Sequence, residues 1–291
     1  MVIWGATFVS IKVLVGYIHP VTLTTIRISL AAACLLGILA IFKKLRWLSF
    51  HEWKWVGIAS IFGVMLHHMF LSAGLSQTTS VKGSIISGFS PLLTVLLSII
   101  FGYAKLNFHT IFGVLLGTLG MILAVSAGQR IDLAVNMGDV FVFLSFLSQA
   151  ISFIIIRRLS NGLETIVITC YMLCIGTLFL VPMSFLVMPS GYSVLLSVPS
   201  WVLLLVAATS ILAISIGHTV YNLSIAKIGP AETAIIGNFN VIFALIFSFL
   251  LLKEPIQWIQ LVGMLLIIFG VLIATGVLGK LFKKIMHKNI V

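Results

Sequence analysis

The sequence predicts an all-α integral membrane protein with ten transmembrane helices, arranged as two inverted five-helix repeats. Among its 291 residues, 61% are hydrophobic and only 8% are charged, a composition that soluble domains do not have. Apolar stretches of about 20 residues, the length that crosses the hydrocarbon core as a helix, recur along the whole chain with short gaps. The two halves also resemble each other, which indicates an internal duplication.

A shift of 150 residues brings the second half of the chain onto the first. The matching pairs are His68 and His218, Ser98 and Ser248, Gly113 and Gly263, Gly120 and Gly270, and Ala124 and Ala274. Each half contains an odd number of predicted spans, so two copies in one membrane must have opposite orientations. The commonest use of this construction is alternating-access transport. We therefore expect one repeat over residues 1–127, a second over 128–279, and a basic cytoplasmic tail over 280–291.

The predicted spans follow the apolar runs in order. They cover approximately residues 1–17, 21–42, 54–74, 80–101, 108–127, 138–158, 164–188, 200–222, 232–252 and 258–278. The first run is short and contains Lys12. Because the next apolar run follows almost at once, without a small-residue cleavage site between them, we interpret the first as a retained helix rather than a signal peptide.

The positions of Lys and Arg predict the orientation, because cytoplasmic loops retain positive charge. With the N-terminus inside, the cytoplasmic connections and the tail contain Lys43, Lys44, Arg46, Lys54, Lys105, Arg157, Arg158, Lys227, Lys280, Lys283, Lys284 and Lys288. The outer connections contain only Lys82, Arg130 and Lys253. We therefore expect a multi-pass protein of the cell membrane with both termini in the cytoplasm.

The net charge of +11 does not indicate a nucleic-acid partner. The basic residues stand at the ends of apolar runs and are not interleaved with stacking aromatics, as nucleic-acid binding requires. Cys34, Cys170 and Cys174 lie inside apolar runs and are expected as buried thiols. No phosphate-binding glycine loop followed by Lys-Ser or Lys-Thr occurs, so ATP does not drive this chain directly, and no cofactor is expected.

Short motifs give the chain a family resemblance. They are Trp4-Gly5-Ala6-Thr7-Phe8 in the first span, Arg27 in the second, Ser90-Pro91 in the fourth, Lys253-Glu254-Pro255 after the ninth, and Gly263 and Gly270 in the tenth. In this order and spacing the chain resembles the drug/metabolite transporter superfamily, and within it the EamA type. The resemblance implies a membrane transporter with a central cavity between two repeats, frequently an exporter of amino acids and other small metabolites.

The two repeats differ where that family pattern would make them alike. Asn240-Val241 lies where the family pattern would have a proline equivalent to Pro91. Ala104-Lys105 lies where it would have an acidic residue equivalent to Glu254. We therefore do not expect both halves to supply equivalent ligands to the cavity.

Polar and small side chains in the fourth and ninth spans are the first candidates for the cavity, because burying polar groups in hydrocarbon is costly. The candidates are Ser84, Ser87, Gly88 and Pro91 in the fourth span and Thr233, Gly237, Asn238 and Asn240 in the ninth. Pro91 removes a backbone hydrogen bond, and asparagine both donates and accepts hydrogen bonds to a zwitterionic solute. Tight helix packing through small residues explains the same pattern equally well.

The sixth and eighth spans present a second polar wall. It consists of Ser145, Ser148, Gln149 and Ser152 in the sixth span and Ser215, His218, Tyr221 and Asn222 in the eighth. Interhelical hydrogen bonds would use the same side chains, so cavity lining is favoured mainly for Gln149 and Asn222. Trp4 and Tyr171 are candidates for stacking on an organic solute, although packing roles are more common for such rings.

Three histidines lie within predicted spans, His67, His68 and His218. Adjacent histidines on a helix point about 100° apart, and no carboxylate or thiol follows at ligand spacing, so we expect no metal site. Protonation of His68 or His218 near neutral pH is the better hypothesis, because it would couple solute release to proton movement.

Arg27 lies about six residues inside the outer end of the second span. It could attract a substrate carboxylate, but a structural or gating role is favoured because the family pattern carries it across different substrates. Gly113, Gly117 and Gly120 form a small-residue face on the fifth span that suits packing against the tenth span or a homodimer contact.

The sequence does not indicate an enzyme, because only six acidic residues occur and they are scattered. We expect a secondary transporter, an exporter of amino acids or related small organic metabolites. The alternatives are an exporter of lipophilic drugs or cations, which should keep an acidic residue deep in the membrane, and a non-transporting membrane scaffold.

Overall fold

The chain folds into apolar helices joined by short connections, in a computed structural model that describes residues 1–102, 108–126, 136–237, 239–274 and 276. Within these residues no strand occurs. The α-helices are α1 Val2–Leu14, α2 Pro20–Ile41, α3 Phe50–Ser60, α4 His67–Gln77, α5 Ser80–Ser87, α6 Ser90–Ile100, α7 Phe108–Ser126, α8 Met137–Leu159, α9 Thr165–Val187, α10 Ser200–Ala208, α11 Thr219–Ile228, α12 Pro230–Gly237, α13 Phe239–Leu252 and α14 Trp258–Ala274. A π-helical segment joins α3 to α4 and another joins α10 to α11, and a short 3₁₀ turn follows α9.

The helices identify a membrane protein by their length and composition. In the described part of the chain, six are long and apolar enough to cross a membrane, namely Pro20–Ile41, Phe50–Gln77, Ser80–Ile100, Met137–Leu159, Thr165–Val187 and Ser200–Ile228. Shorter apolar helices include Val2–Leu14 and Trp258–Ala274. The third and eighth spans are longer than predicted, because each continues beyond its most apolar part through polar residues to Gln77 and Ile228.

One irregularity recurs at equivalent places in the two halves. The π-helical segment Ile61–Leu66 corresponds, after the shift of 150 residues, to positions inside the second π-helical segment, Thr209–His218. In the first half, a turn at Gly88 and Phe89 also separates α5 from α6. Pro91 lies in the first turn of α6, where a missing backbone N–H leaves no hydrogen bond broken.

The glycine face of α7 packs against α14 of the same chain. A Cβ atom on Gly120 would lie 2.5 Å from the Gly263 carbonyl oxygen, and one on Gly270 would lie 2.7 Å from the Gly117 backbone nitrogen. Backbones this close need glycine at the contact. The sequence allowed this face either to pack within the chain or to form a homodimer contact. In the structure it packs against α14 of the same chain, so a homodimer would need another surface.

Charged side chains cap two helix ends at the turn between α4 and α5. The Glu254 carboxylate accepts hydrogen bonds at the start of α5, from the backbone N–H groups of Ser80 and Val81 at 3.2 and 3.0 Å and from the Ser80 hydroxyl at 2.9 Å. At the end of α4, Lys12 donates to the carbonyl oxygens of Leu75 and Thr78 at 3.0 and 2.6 Å. These contacts satisfy backbone groups that a helix end leaves free. Glu254 belongs to the second half of the chain, so its contact with α5 joins the two halves.

An ion pair closes the same end of the helix bundle. The Lys82 ammonium lies 3.6 Å from the buried Asp139 carboxylate, too far for a hydrogen bond but close enough for an ion pair. Thr78 donates a short hydrogen bond to the other Asp139 oxygen. Lys82 and Thr78 belong to the first half of the chain and Asp139 to the second, so this polar cluster ties the halves together.

Candidate substrate cavity

A central cavity of about 650 Å³, counted with the solvent at its mouth, lies between the two halves. Its walls come from α1, α2, α5, α6, α8, α12, α13 and both regions around the π-helical segments. The predicted site residues that line it are Trp4, Arg27, His68, Ser87, Pro91, Gln149, His218, Tyr221 and Asn240.

Arg27 supplies a fixed positive charge to this cavity. The residue is 1% exposed, and its Nε–H donates to the Thr209 hydroxyl at 3.1 Å. Among the described residues, its two terminal nitrogens have no hydrogen-bond partner and no carboxylate pairs with the guanidinium. A buried guanidinium without a counter-ion is costly, and an anionic ligand would offset that cost. The structure places Arg27 in the cavity wall rather than at an outer surface.

Trp4 forms one apolar wall with rings from the second half. Its indole N–H donates to the Ala213 carbonyl oxygen at 3.0 Å, which fixes the ring against the second π-helical segment. The ring centroid lies 4.8 Å from that of Tyr221 and 5.2 Å from that of His218. Phe8 and Phe146 pack on each other with their centroids 6.3 Å apart and continue this wall. Apolar rings beside a guanidinium suit a solute with one charged end and one apolar end.

Ser87 and Asn240 bring polar groups from the two halves together. The Ser87 hydroxyl donates to the Ser84 carbonyl oxygen at 2.5 Å and also lies 3.5 Å from the Asn240 side-chain oxygen. This contact joins the end of α5 in the first half to the first turn of α13 in the second. Asn238, the neighbouring candidate, lies outside the residues that the structure describes.

Three imidazole rings meet at the cavity. His67 and His68 follow the first π-helical segment, and His218 ends the second. The ring centroids lie 4.7 Å apart for His67 and His68, 5.4 Å for His68 and His218, and 6.3 Å for His67 and His218. Adjacent histidines on a helix point about 100° apart, yet both His67 and His68 line the cavity, because the cavity lies between the directions of their two side chains.

Asn222 belongs to a smaller neighbouring cavity of about 320 Å³ rather than to the central one. Its amide nitrogen donates to the Thr169 hydroxyl at 3.0 Å, and its buried oxygen has no hydrogen-bond partner in the described part of the chain. Gln149, His68 and His218 line both cavities. The predicted polar wall of the sixth and eighth spans is therefore shared between two adjoining cavities.

Several residues that shape the site were not predicted from the sequence. Thr209 holds Arg27, and the carbonyl oxygen of Ala213 holds Trp4, both from the second π-helical segment. π-helical segments are frequent at functional sites, but local residue patterns do not predict them. Conversely, Tyr171 lies away from the cavity, since its hydroxyl donates to the Arg46 carbonyl oxygen at 2.7 Å and its ring packs on Trp53.

Comparison with known proteins identifies the class to which this cavity belongs. The EamA-like transporter family matches residues 1–126 and 136–276. The chain is 29% identical over 282 residues to the uncharacterized transporter YyaM of Bacillus subtilis, covering 94% of this chain and 90% of that protein. It is 28% identical over 271 residues to the WAT1-related protein At3g02690 of Arabidopsis thaliana, covering 89% of this chain and 64% of that protein. A solved crystal structure shares the fold, with a TM-score of 0.71 at 17% identity over 96% of this chain and 94% of that chain.

Proposed function

The chain belongs to the EamA-like transporter family, and from this premise we propose that it is a secondary transporter that exports amino acids or related small organic metabolites. The family and the relatives named above are transporters and not enzymes. The observation that carries the proposal is the central cavity, which combines the lone Arg27 charge with amide, hydroxyl and aromatic groups from both halves of the chain.

The chemistry of the lining favours a solute with a carboxylate. The terminal nitrogens of Arg27 are free to form a bidentate pair with a carboxylate, the strongest pairing open to a guanidinium. Amide groups of Gln149 and Asn240 can accept from an ammonium group. The rings of Phe8 and Phe146 leave an apolar surface for a side chain. An amino acid has all three of these parts.

A lipophilic cation fits the same lining poorly. No Asp or Glu occurs among the described residues that line the cavity, and the Arg27 charge would repel a cation at this depth. A non-transporting scaffold would have no need of a cavity lined by buried polar groups, which are expensive in a membrane.

Alternating access would follow from two inverted five-helix repeats in the cell membrane, with both termini in the cytoplasm. The equivalent π-helical segments support this arrangement, because they repeat with the 150-residue shift. In that topology the Lys82 and Asp139 pair lies on the outer side, where it would act as a closed gate between the halves. Rocking of one repeat against the other would break this pair and expose the cavity outward.

Efflux from proteoliposomes tests the proposal directly. Purified protein is reconstituted, loaded with a panel of labelled amino acids and metabolites, and assayed with and without a pH gradient. One saturable solute with counter-transport is expected, and a folded, inserted protein that moves none of them would overturn the proposal. A His218→Ala variant, matched with the exposed His51→Ala, tests proton coupling, because only the first should lose dependence on the pH gradient.

A further inference from the structure

Three imidazoles converge on one part of the cavity at a spacing suited to a metal ion. One ring nitrogen from each of His67, His68 and His218 lies within 4.8 Å of the other two. His67 and His68 are 3% and 5% exposed, so this cluster lies inside the helix bundle rather than at its surface. Each buried imidazole carries two ring nitrogens, and a buried ring nitrogen needs a hydrogen bond or a ligand.

The ring positions agree with a tetrahedral site. With metal–nitrogen bonds of about 2.0–2.1 Å, three imidazoles on a tetrahedral ion have ring centroids about 5.2 Å apart and ligand nitrogens about 3.3 Å apart. The observed centroid separations of 4.7, 5.4 and 6.3 Å lie on both sides of that value. Binding an ion would bring the ring nitrogens from within 4.8 Å of one another to about 3.3 Å, a closure of up to about 1.5 Å.

Hydrogen bonds already orient His67 as a ligand. The Ser145 hydroxyl donates its hydrogen to the His67 carbonyl oxygen at 2.9 Å. The oxygen of this hydroxyl therefore accepts from the His67 Nδ1–H at 2.7 Å, and the Ser145 carbonyl oxygen accepts from the same Nδ1–H at 3.1 Å. This leaves Nε2 with a free lone pair. Metal-binding histidines typically donate their other ring N–H to a backbone carbonyl in this way.

His68 provides an independent observation. Its Nδ1 is buried and has no hydrogen-bond partner in the part of the chain that the structure describes. An unpartnered imidazole nitrogen at a cavity wall is costly unless a ligand occupies it. The position equivalent to His68 in the second half is His218, so the two repeats present matching ligands to one point.

We propose that the cavity binds one divalent transition-metal ion through His67, His68 and His218, with a fourth position open to the cavity. Imidazole nitrogens suit Zn²⁺, Co²⁺, Ni²⁺ and Cu²⁺. Arg27 lines the same cavity and repels a bare dication, so the fourth ligand is an anion whose charge the guanidinium stabilises. This inference goes beyond the proposed function, since metal binding by these side chains does not depend on which solute is exported.

Co²⁺ titration of the purified protein in detergent tests the site. The protein must carry an affinity tag without histidines. The visible absorption of tetrahedral Co²⁺ should appear and saturate at one ion per chain, and Zn²⁺ should abolish it by displacement. Each of His67→Gln, His68→Gln and His218→Gln should lower the affinity at least about 100-fold, whereas Ser145→Ala, which keeps the backbone acceptor, should lower it about tenfold.

Matched variants separate this site from adventitious binding. His51→Gln and His109→Gln change exposed histidines and should leave the titration unchanged. His218→Cys should keep binding and add a sulfur-to-cobalt charge-transfer band, which remains informative even if a Gln variant fails to fold. Absence of the visible band, or a band that survives the combined His68→Gln and His218→Gln changes, would overturn the proposal. Solute efflux measured with a chelator present reports on the transporter proposal separately.

Discussion

His68 and His218 occupy equivalent positions in the two halves of the chain and face each other with their ring centroids 5.4 Å apart. His68 follows one π-helical segment and His218 ends the other. Both rings line the cavity, so residues from both halves of the chain can contact a single bound solute.

Arg27→Gln should weaken solute binding and transport. If Arg27 binds a carboxylate, the apparent affinity falls at least about 30-fold, because truncating one partner of a buried, hydrogen-bonded charge pair costs about 2 kcal/mol or more. Arg27→Lys keeps the charge but loses the fork geometry, so it should be intermediate. Concentration-dependent efflux from proteoliposomes measures both variants.

Arg158→Gln is the matched control for that experiment. Arg158 is exposed, with its guanidinium 4.8 Å from the ring centroid of Trp55, far from the cavity lining. The Arg158→Gln variant should transport the solute with the same apparent affinity as the parent protein. If Arg27→Gln and Arg158→Gln give the same apparent affinity, Arg27 has the structural role that the family pattern also allows and does not bind the solute.

Glu254→Gln should destabilise the protein. The carboxylate caps the first turn of α5 from the other half of the chain, accepting from two backbone N–H groups and one hydroxyl. A neutral amide offers one acceptor oxygen and no charge to the helix N-terminus, so the loss should be about 1–2 kcal/mol. Thermal unfolding in detergent measures it. Glu164→Gln, at an exposed ion pair with Lys44, should change stability by less than about 0.5 kcal/mol.

The helical class and many of the polar residues that line the cavity could be predicted from the sequence, because they depend on hydrophobic length and on the cost of burying polar groups in lipid. Apolar runs fix where helices cross, and a constant shift of 150 residues relates the halves. Intramembrane polar residues such as Gln149 and Asn240 are expensive in lipid, so they face the interior wherever the helices are placed.

Convergence of side chains from distant helices could not be predicted in the same way. The π-helical segments rotate the residues that follow them relative to a regular helix, and no residue type requires such a segment. For this reason the helical spacing of His67 and His68 argued against a shared ligand position, whereas the folded chain brings both to one cavity wall.

Gly120→Ala should destabilise the contact between α7 and α14, whereas Gly57→Ala should stabilise α3. The new Cβ at position 120 would lie 2.5 Å from the Gly263 carbonyl oxygen, so the two backbones must separate, at about 1–3 kcal/mol. At position 57 nothing lies within 4 Å, and alanine gains about 0.5–1 kcal/mol over glycine inside a helix. Opposite shifts in thermal unfolding are expected, and a Gly120→Ala variant that unfolds at the same or a higher temperature than the parent protein would contradict the close contact of α7 with α14.

Trp4 should affect transport through its ring more than through its indole N–H. Trp4→Phe keeps an aromatic ring beside Tyr221 and His218 but loses the hydrogen bond to Ala213, which should cost about 0.5–1.5 kcal/mol in stability. Trp4→Ala removes the wall itself and should cost about 3–5 kcal/mol. We expect efflux to persist in Trp4→Phe and to fall steeply in Trp4→Ala.

The control for Trp4 is Trp47→Ala, because Trp47 is 88% exposed and lies outside the cavity. Unfolding midpoints and initial efflux rates of the three variants are compared at equal reconstituted amounts. Of these two tryptophans only Trp4 lines the cavity. An efflux rate for Trp4→Ala equal to that for Trp47→Ala would therefore show that the Trp4 ring does not bind the transported solute, and would leave Phe8, Phe146 and Phe153 as the aromatic contacts of the solute.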